Sequence, residues 1–185
     1  MACHRFEGDG LDESGEDNHA NASGVQYVTG RVGQAAQFDA ASLVTIGPDD
    51  SFGLAALTLE MWLRPSSLPA TGRFGLIDHP GRWSAWLRPD GVYCRSVGPA
   101  SIPTGSWSHV ACVADGTTIE GVRQRARDHE RRQYPRSQSH HRDDSSRLGR
   151  PGGGDKYLGD MDEVRLFDHV RTPTQLCEAA GGSGC

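Results

Sequence analysis

The sequence lacks three features that would assign it to common classes of protein. It has no apolar run of about 18 residues, the length that a membrane-spanning helix requires, so we expect no membrane span. It has no Cys-x-x-Cys motif and no Cys/His spacing that suits zinc. Its first residues, Met1–Phe6, contain no apolar signal-peptide core, so any export signal is expected upstream of this chain.

Hydrophobic residues are scarce, whereas turn-forming residues are plentiful. Only 36% of the 185 residues are hydrophobic, and the chain contains 24 glycines and 10 prolines. This composition favours many short strands joined by turns over long helices. The length suits one domain.

Apolar residues recur with the period of a β-strand. Leu57, Leu59, Met61 and Leu63 fall on one side of the segment Leu57–Arg64, so that side is expected to face the core. A helix start is predicted near Thr172, where a proline follows. Further strands are predicted over Ser42–Ile46, Phe74–Ile77, Trp83–Arg88, Val92–Arg95, Trp107–Ala114 and Tyr157–Phe167.

Several motifs, taken in their order along the chain, resemble the laminin-G-like domains of the concanavalin A-like lectin/glucanase superfamily. They are His4-x-Phe6-Glu7-Gly8, Asp12-x-Ser14-Gly15, Gly30-Arg31-x-Gly33-Gln34, Leu57–Pro65, Gly105–Ala111 and Gly159–Phe167. The resemblance covers residues 2–119 and 155–180. It implies an all-β fold, an antiparallel β-sandwich of the jelly-roll type, with the first and last strands adjacent and a short C-terminal helix.

The resemblance also implies a function at the cell exterior. We expect a non-catalytic recognition module that binds a glycan or a protein surface, secreted or displayed on the cell surface. A structural or adhesive spacer of a larger surface protein, with no ligand, is the alternative, and a diverged glucanase is a third hypothesis. Fold alone does not choose among them.

Glucanases of this superfamily use alternating carboxylates on one strand. Here Asp160 and Asp162 share one side of a strand, but no third carboxylate follows on that side, and Glu163 faces the other way. We therefore expect no enzymatic activity. Trp83 and Trp86, near a turn, are the candidates for stacking on a sugar, although half-buried sheet tryptophans are common.

Related jelly rolls tie the first strand to the last with a calcium ion. The matching positions are Glu7 and Asp162, with Asp12 and the Gly8 carbonyl as further ligands. Calcium requires several hard oxygen ligands at one point, which acidic residues near both termini can supply. Solvated turn carboxylates are the alternative interpretation.

The five cysteines are compatible with two kinds of cellular compartment. They can be buried free thiols in a reducing compartment or form disulfides in an oxidising one. Cys94 and Cys112 fall on strands that should be neighbours, which favours a disulfide and an oxidising compartment. Because the termini should be close, Cys177 is expected to reach Cys3, with Cys185 left over.

Positive charge is concentrated in one segment. Residues 121–150 hold nine arginines against four acidic residues, a net charge of +5. Because the whole chain has a net charge of −5, the remaining residues carry a net charge of −10. Where the family continues with a hairpin and an Ile-Gly pair, residues 120–154 are almost devoid of apolar side chains. A nucleic-acid arm has only Tyr134 for stacking, and a metal tract around His140 and His141 has no scaffold, so neither is expected.

A shifted reading frame is the favoured explanation of this segment. Val122–Arg125 and Ser139–Arg142 can be encoded so that a shift of one nucleotide yields Phe-Val-Asn-Gly and Arg-Thr-Ile-Gly, the two missing family motifs. A polar, arginine-rich run cannot bury an apolar face. We therefore predict that residues 120–154 form an irregular or disordered insert within a single domain 1–185, and that the sandwich lacks one hairpin.

Overall fold

A computed structural model describes residues 1–47, 52–79, 82–94, 97–125, 128–135, 155–182 and 185, with residues 120–135 described by their backbone. These residues form fourteen strands and one short helix, and every pair of neighbouring strands is antiparallel. The predicted all-β antiparallel fold with a short C-terminal helix is therefore confirmed.

Eight strands build a large sheet in which the middle of the chain and both termini meet. Its strand order is β13-β12-β11-β6-β14-β4-β3, and β1 also pairs with β14, so the first and last strands are neighbours as expected. The strands are β1 (Ala2–His4), β3 (Gln26–Thr29), β4 (Gln34–Phe38), β6 (Leu57–Pro65), β11 (Ser108–Ala114), β12 (Thr118–Arg125), β13 (Asp128–Pro135) and β14 (Gly159–Phe167).

Two smaller sheets cover the large one. The small sheet has the order β10-β9-β8-β7, and a separate pair joins β2 to β5. The strands are β2 (Ala20–Ser23), β5 (Leu43–Ile46), β7 (Phe74–His79), β8 (Trp83–Arg88), β9 (Gly91–Cys94) and β10 (Val97–Ala100). β8 and β9 form a hairpin, and Gly91 supplies a φ of 141° at its turn, a conformation that favours glycine.

The core lies between the large and small sheets. Leu57, Leu59, Met61 and Leu63 are at most 5% exposed, which confirms the side predicted to face inward. The small sheet contributes residues of the same kind, including Leu87. Alternation along each strand therefore assembles the core, as expected for a sandwich.

The Cys94–Cys112 disulfide is present and joins β9 of the small sheet to β11 of the large sheet. The expected bridge between Cys3 and Cys177 is wrong, because Cys177 pairs with Cys185 and Cys3 is free. The reason is local: Cys3 lies opposite Arg165 inside a sheet, whereas Cys177 lies on the helix and is eight residues from its partner.

The expected loss of a hairpin is also wrong. β12 pairs with β11 along six residues and with β13 along eight, so residues 118–125 and 128–135 extend the large sheet. The physical reason is position, because strands at the end of a sheet need backbone hydrogen bonds but little apolar surface, and charge is common there. Residues 136–154 lie outside the described residues, and the shifted frame stays a prediction.

Helix α1 (Pro173–Ala179) packs on the outer side of the large sheet. Thr172 caps its N-terminus, since its side chain accepts from the Gln175 N–H while the Gln175 side chain accepts from the Thr172 N–H. Leu176 is buried against Ala111 and Val113 of β11. The helix start predicted at this point is confirmed.

Candidate functional site

The outer face of the small sheet carries two adjacent aromatic rings. Trp86 of β8 lies directly opposite Tyr93 of β9, and Gly75 of β7 lies on the other side of Trp86. The neighbours Ala85 and Leu87 are fully buried in the core, so alternation turns Trp86 to the outside. The sheet thereby presents an aromatic pair beside a glycine.

Two arginine guanidinium groups lie over these rings. The Arg73 guanidinium carbon is 3.8 Å from the centre of the Trp86 ring, and that of Arg88 is 4.6 Å from the centre of the Tyr93 ring. A guanidinium stacked in this way still has N–H donors along its edges. The Tyr93 hydroxyl donates to the Asp90 carboxylate at 2.7 Å, which fixes the ring.

These side chains border an open polar groove of about 660 Å³. We call it the small-sheet groove, and it is lined by Gly72, Arg73, Arg88, Pro89, Asp90, Tyr93 and Asp155. Two guanidinium groups and two carboxylates give it donors, acceptors and no net charge. Such a set can bind neighbouring hydroxyl groups by paired hydrogen bonds.

The structure separates the two tryptophans predicted to stack on a sugar. Residues three apart on a strand point to opposite faces, so Trp83 faces the interior, where its indole N–H donates to the Phe52 carbonyl at 2.9 Å. Trp86 lies on the outer face beneath Arg73, which lines the groove, and only 6% of it is exposed. Trp86 therefore supports the groove from below and offers no open ring.

Three of the predicted calcium ligands lie next to one turn. The Asp162 carboxylate accepts from the N–H groups of Arg31 and Val32 at 2.7 and 3.0 Å, and Glu7 accepts from the Gln34 N–H at 2.9 Å. Gly8 borders the same turn, since a Cβ on it would lie 3.6 Å from the Gln34 side chain. The turn between β3 and β4 thus brings Glu7, Gly8 and Asp162 together.

The environment of Asp162 is unusual for a carboxylate. Its side chain is fully buried, and among the described residues its Oδ1 has no hydrogen-bond partner. Burial raises the pKa of the Asp162 carboxyl above its usual value. A cation at Oδ1 would compensate the buried charge, and a carboxylate oxygen is the kind of ligand that calcium takes.

Asp12 does not belong to this set. Its two carboxylate oxygens accept from the N–H groups of Cys3, Ser14 and Asn18 and from the Ser14 hydroxyl, all between 2.7 and 3.0 Å. The residue therefore fastens the N-terminal loop to β1. Within the described part of the chain, no group of three or more His, Cys, Asp or Glu side chains is placed to hold a metal.

The carboxylates that resemble a glucanase motif are engaged elsewhere. Asp160 accepts from the Arg64 Nε–H at 2.6 Å and from the Gln37 side chain at 3.1 Å. Asp162 faces the turn described above. Side chains of neighbouring strands thus hold Asp160, and backbone N–H groups of the turn hold Asp162 through its Oδ2.

A buried ionic cluster lies between the large sheet and the helix. Arg171 donates to the carboxylate of Glu60, which is 1% exposed, and His109 Nε2 lies 3.7 Å from the same carboxylate. Burial lowers the pKa of His109 to about 3, and Arg171 and Arg165 act in the same direction. Burial also raises the pKa of Glu60, which the same two arginines oppose.

Sequence reasoning missed the residues that surround the groove. Arg88 follows Trp86 on the same side of β8, and the turn Pro89-Asp90 sets Tyr93 opposite Trp86. Both relations follow from strand alternation and hairpin register, so the signal was present in the sequence. The position of Arg73, which precedes β7, had no such signal.

Comparison with solved structures reveals domains of similar fold. Domain 4 of AbnA, a GH43 extracellular arabinanase from Geobacillus stearothermophilus, in complex with arabinotriose, has a TM-score of 0.66 and 20% identity, with 97% of each chain covered. The binding domain of botulinum neurotoxin serotype G has a TM-score of 0.67 and 9% identity. This chain spans half of that neurotoxin domain, and 97% of its own length is covered.

No curated protein sequence matches the chain. Among the described residues, no helix has the length and apolar character needed to cross a membrane. A laminin G family model, described as the concanavalin A-like lectin/glucanases superfamily, matches residues 38–177. Because this match spans well over half of the 185 residues, the chain belongs to the laminin-G-like family of that superfamily.

Proposed function

We propose that the protein is a non-catalytic, secreted or surface-displayed module that binds an uncharged oligosaccharide in the small-sheet groove. One observation carries the proposal: Arg88 lies over the Tyr93 ring while Asp90 accepts from the Tyr93 hydroxyl, so donors and acceptors are positioned around an open groove. Fixed polar groups around a concave surface are typical of ligand sites.

The balance of charge favours a neutral ligand. The groove holds two guanidinium groups and two carboxylates, so an acidic sugar would meet repulsion from Asp90 and Asp155 as well as attraction from the arginines. A neutral sugar uses both, since hydroxyl groups donate to carboxylates and accept from guanidinium N–H groups. We therefore expect an affinity that depends little on salt.

The related arabinanase domain was solved with arabinotriose, which supports an oligosaccharide of uncharged sugars as the first probe. Binding of arabinotriose by the full chain would be measured by isothermal titration calorimetry. Arg88→Ala should weaken it by at least tenfold, because the variant loses donors at the ligand and the contact that orders Tyr93. The control is Arg82→Ala, an exposed arginine outside the groove, which should bind as the parent does.

Failure of arabinotriose and of a panel of neutral oligosaccharides to bind at millimolar concentration would contradict the proposal and leave the spacer hypothesis. Hydrolysis of any of them would contradict the non-catalytic assignment. A protein surface stays the alternative ligand, since the binding domain of botulinum neurotoxin serotype G has a similar fold.

We also propose a structural calcium ion held by Glu7 and Asp162, with the Gly8 carbonyl beside them. The support is the convergence of both carboxylates on the turn after Gly30 and the unpartnered, buried Asp162 Oδ1. When bound, calcium would neutralise the buried charge and tie the first segment to the last strand. Calcium should raise the melting temperature of the parent over that in EDTA, and Asp162→Asn should abolish the difference.

Secretion fits the two disulfides, which form and persist in oxidising compartments. Labelling of free thiols in protein isolated from its native source tests this proposal. Cys3 alone should react without a reductant, whereas five reactive thiols would contradict it.

A further inference from the structure

The sequence contains one short motif that neither the proposed glycan site nor the proposed calcium site uses. Asn21-Ala22-Ser23 has the pattern Asn-x-Ser, with a residue other than proline in the middle, which is the acceptor pattern for N-linked glycosylation. The chain has two asparagines, and the other one, Asn18, is followed by His19 and Ala20, so it lacks the hydroxyl of the pattern. The motif alone is a weak signal, so its place in the fold decides whether it can be modified.

The motif lies on a strand that presents its two essential side chains on one face. Strand β2 pairs with β5 along four residues. Residues two apart on a strand point to the same side, so Asn21 and Ser23 share a face, and both are exposed. Ala22 points the other way and lies opposite Val44, which packs against the core. Folding therefore turns the middle residue of the motif inward and leaves the carboxamide and the hydroxyl accessible together.

The fold does not use the carboxamide of Asn21. Within the described part of the chain, this group makes no hydrogen bond. Asn18, in contrast, is buried, and its Nδ2 donates to the Met1 carbonyl at 2.8 Å. A glycan on Asn18 would break that hydrogen bond, whereas a glycan on Asn21 replaces only contacts with solvent.

An exposed apolar side chain lies within reach of the same face. Leu43 of β5 lies opposite Ser23 and is 51% exposed. Asn21 lies opposite Thr45, so Leu43 is its diagonal neighbour across the strand pair, at a distance of roughly 7 Å. The first sugars of an N-linked glycan extend farther than this, and the C–H face of a sugar ring can pack on a leucine. A glycan on Asn21 would therefore cover apolar surface that is otherwise open to solvent.

We propose that Asn21 is an N-glycosylation site and that its glycan covers Leu43. The proposal rests on the proposed secretion, since N-glycosylation is a modification of secreted proteins. The co-reactant is an oligosaccharide linked to a polyprenyl diphosphate. The Asn21 Nδ2 forms a bond to the anomeric carbon of the first sugar, the bond from that carbon to the diphosphate oxygen breaks, and the lipid diphosphate leaves with the electron pair. One amide proton passes to a base of the transferring enzyme, and nothing is oxidised or reduced.

The first test uses the full chain isolated from its native source. Peptide N-glycosidase should lower the mass of the protein and leave an aspartate where it removes the glycan, which tandem mass spectrometry should locate at position 21. An unmodified Asn21 in protein whose Cys94–Cys112 and Cys177–Cys185 disulfides are formed would overturn the glycosylation and leave the proposed secretion intact. An unmodified Asn21 together with five reactive thiols would overturn both.

Variants expressed in the same cells identify the acceptor. Ser23→Ala keeps Asn21 but removes the hydroxyl of the motif, so the glycan should be lost, and Asn21→Gln should give the same loss. Ser23→Thr is the matched control, because it changes the same exposed position, restores the hydroxyl and should keep the glycan. Retention of the glycan in Ser23→Ala would overturn the assignment to this motif.

The contact with Leu43 has a test of its own. Ser23→Ala, which lacks the glycan, should aggregate faster than the parent, as measured by static light scattering, because Leu43 is then uncovered. When Leu43→Ser is introduced into both proteins, they should aggregate at the same rate. An unchanged difference between the two would overturn the contact between the glycan and Leu43.

Discussion

Protonation of His109 should be a main cause of acid unfolding. The imidazole is 2% exposed on β11, between the ring of Trp62 at 5.3 Å and the carboxylate of Glu60. Two arginines of the same cluster, Arg165 and Arg171, repel a second positive charge at this point. The informative change is His109→Gln, which keeps a polar side chain but removes the titrating group.

The magnitude follows from the pKa of His109, which burial lowers from 6.5 to about 3. Between these values the unfolded chain binds more protons than the folded one, so stability falls as the pH falls. At about 1.4 kcal/mol per pH unit, the loss is roughly 2 kcal/mol at pH 5 and about 5 kcal/mol by pH 3. Glu60 has the opposite effect on stability. Because its pKa is raised in the folded state, the folded chain binds protons more tightly than the unfolded chain near and above pH 4.5, which stabilises the fold as the pH falls.

Urea unfolding followed by tryptophan fluorescence between pH 7.5 and 4 measures this loss. Glu60 contributes to the curves of both proteins, so the difference between them reports on His109. Between pH 7 and pH 5, the parent should lose about 2 kcal/mol of unfolding free energy relative to His109→Gln. His169→Gln, at an exposed histidine, controls for the removal of any histidine. Parallel curves for the parent and His109→Gln would refute the reasoning.

Three further changes should lower the unfolding free energy measured in urea. Replacing Cys94 and Cys112 by alanine removes a crosslink over 18 residues, worth about 3 kcal/mol, and a loss under ~1 kcal/mol would mean that the two sheets are fastened by other contacts. Asp12→Ala leaves several buried N–H groups without an acceptor and should cost about 3 kcal/mol; an unchanged midpoint would contradict its role as a fastener. Gly159→Ala places a Cβ 2.5 Å from the Arg64 carbonyl at a φ of 142° and should cost more than ~1 kcal/mol, whereas a neutral result would show that the start of β14 shifts to accommodate the methyl group.

Local periodicity was sufficient to predict most strands and the face of β6 that enters the core. Trp83–Arg88 was predicted with the bounds observed, and Ser108–Ala114 begins one residue later than expected. In both strands alternate residues enter the core, Ala85 and Leu87 in β8 and Val110 and Cys112 in β11, and a buried face fixes the register of a strand strongly. The Cys94–Cys112 disulfide was predicted between neighbouring strands of one sheet, but it joins β9 and β11, which lie in different sheets.

The last strand contains an irregularity that alternation cannot predict. Its pairing with β6 shifts register between Asp162 and Arg165, and Glu163 adopts a φ of 51°. The bulge keeps Met161 and Val164 both in the core although they are three residues apart. It also turns Asp162 toward the turn after Gly30, so the geometry of the proposed calcium site depends on a feature that only the tertiary structure reveals.

The hairpin β12–β13 was missed because composition was weighed above position. A run rich in arginine cannot fill a core, but its backbone can still pair at the end of the large sheet, as residues 118–125 do with β11. The cysteine pairing failed for a related reason. Proximity of the termini does not select partners when Cys185 lies only eight residues from Cys177.

Strand β8 divides its two tryptophans between the core side and the outer face. Trp83 faces the interior, where its indole N–H donates to the Phe52 carbonyl, and Trp86 lies on the outer face under Arg73, because residues three apart on a strand point in opposite directions. The side chains that line the small-sheet groove do not belong to the core cluster. A ligand in the groove would therefore bind without disturbing the packing between the sheets.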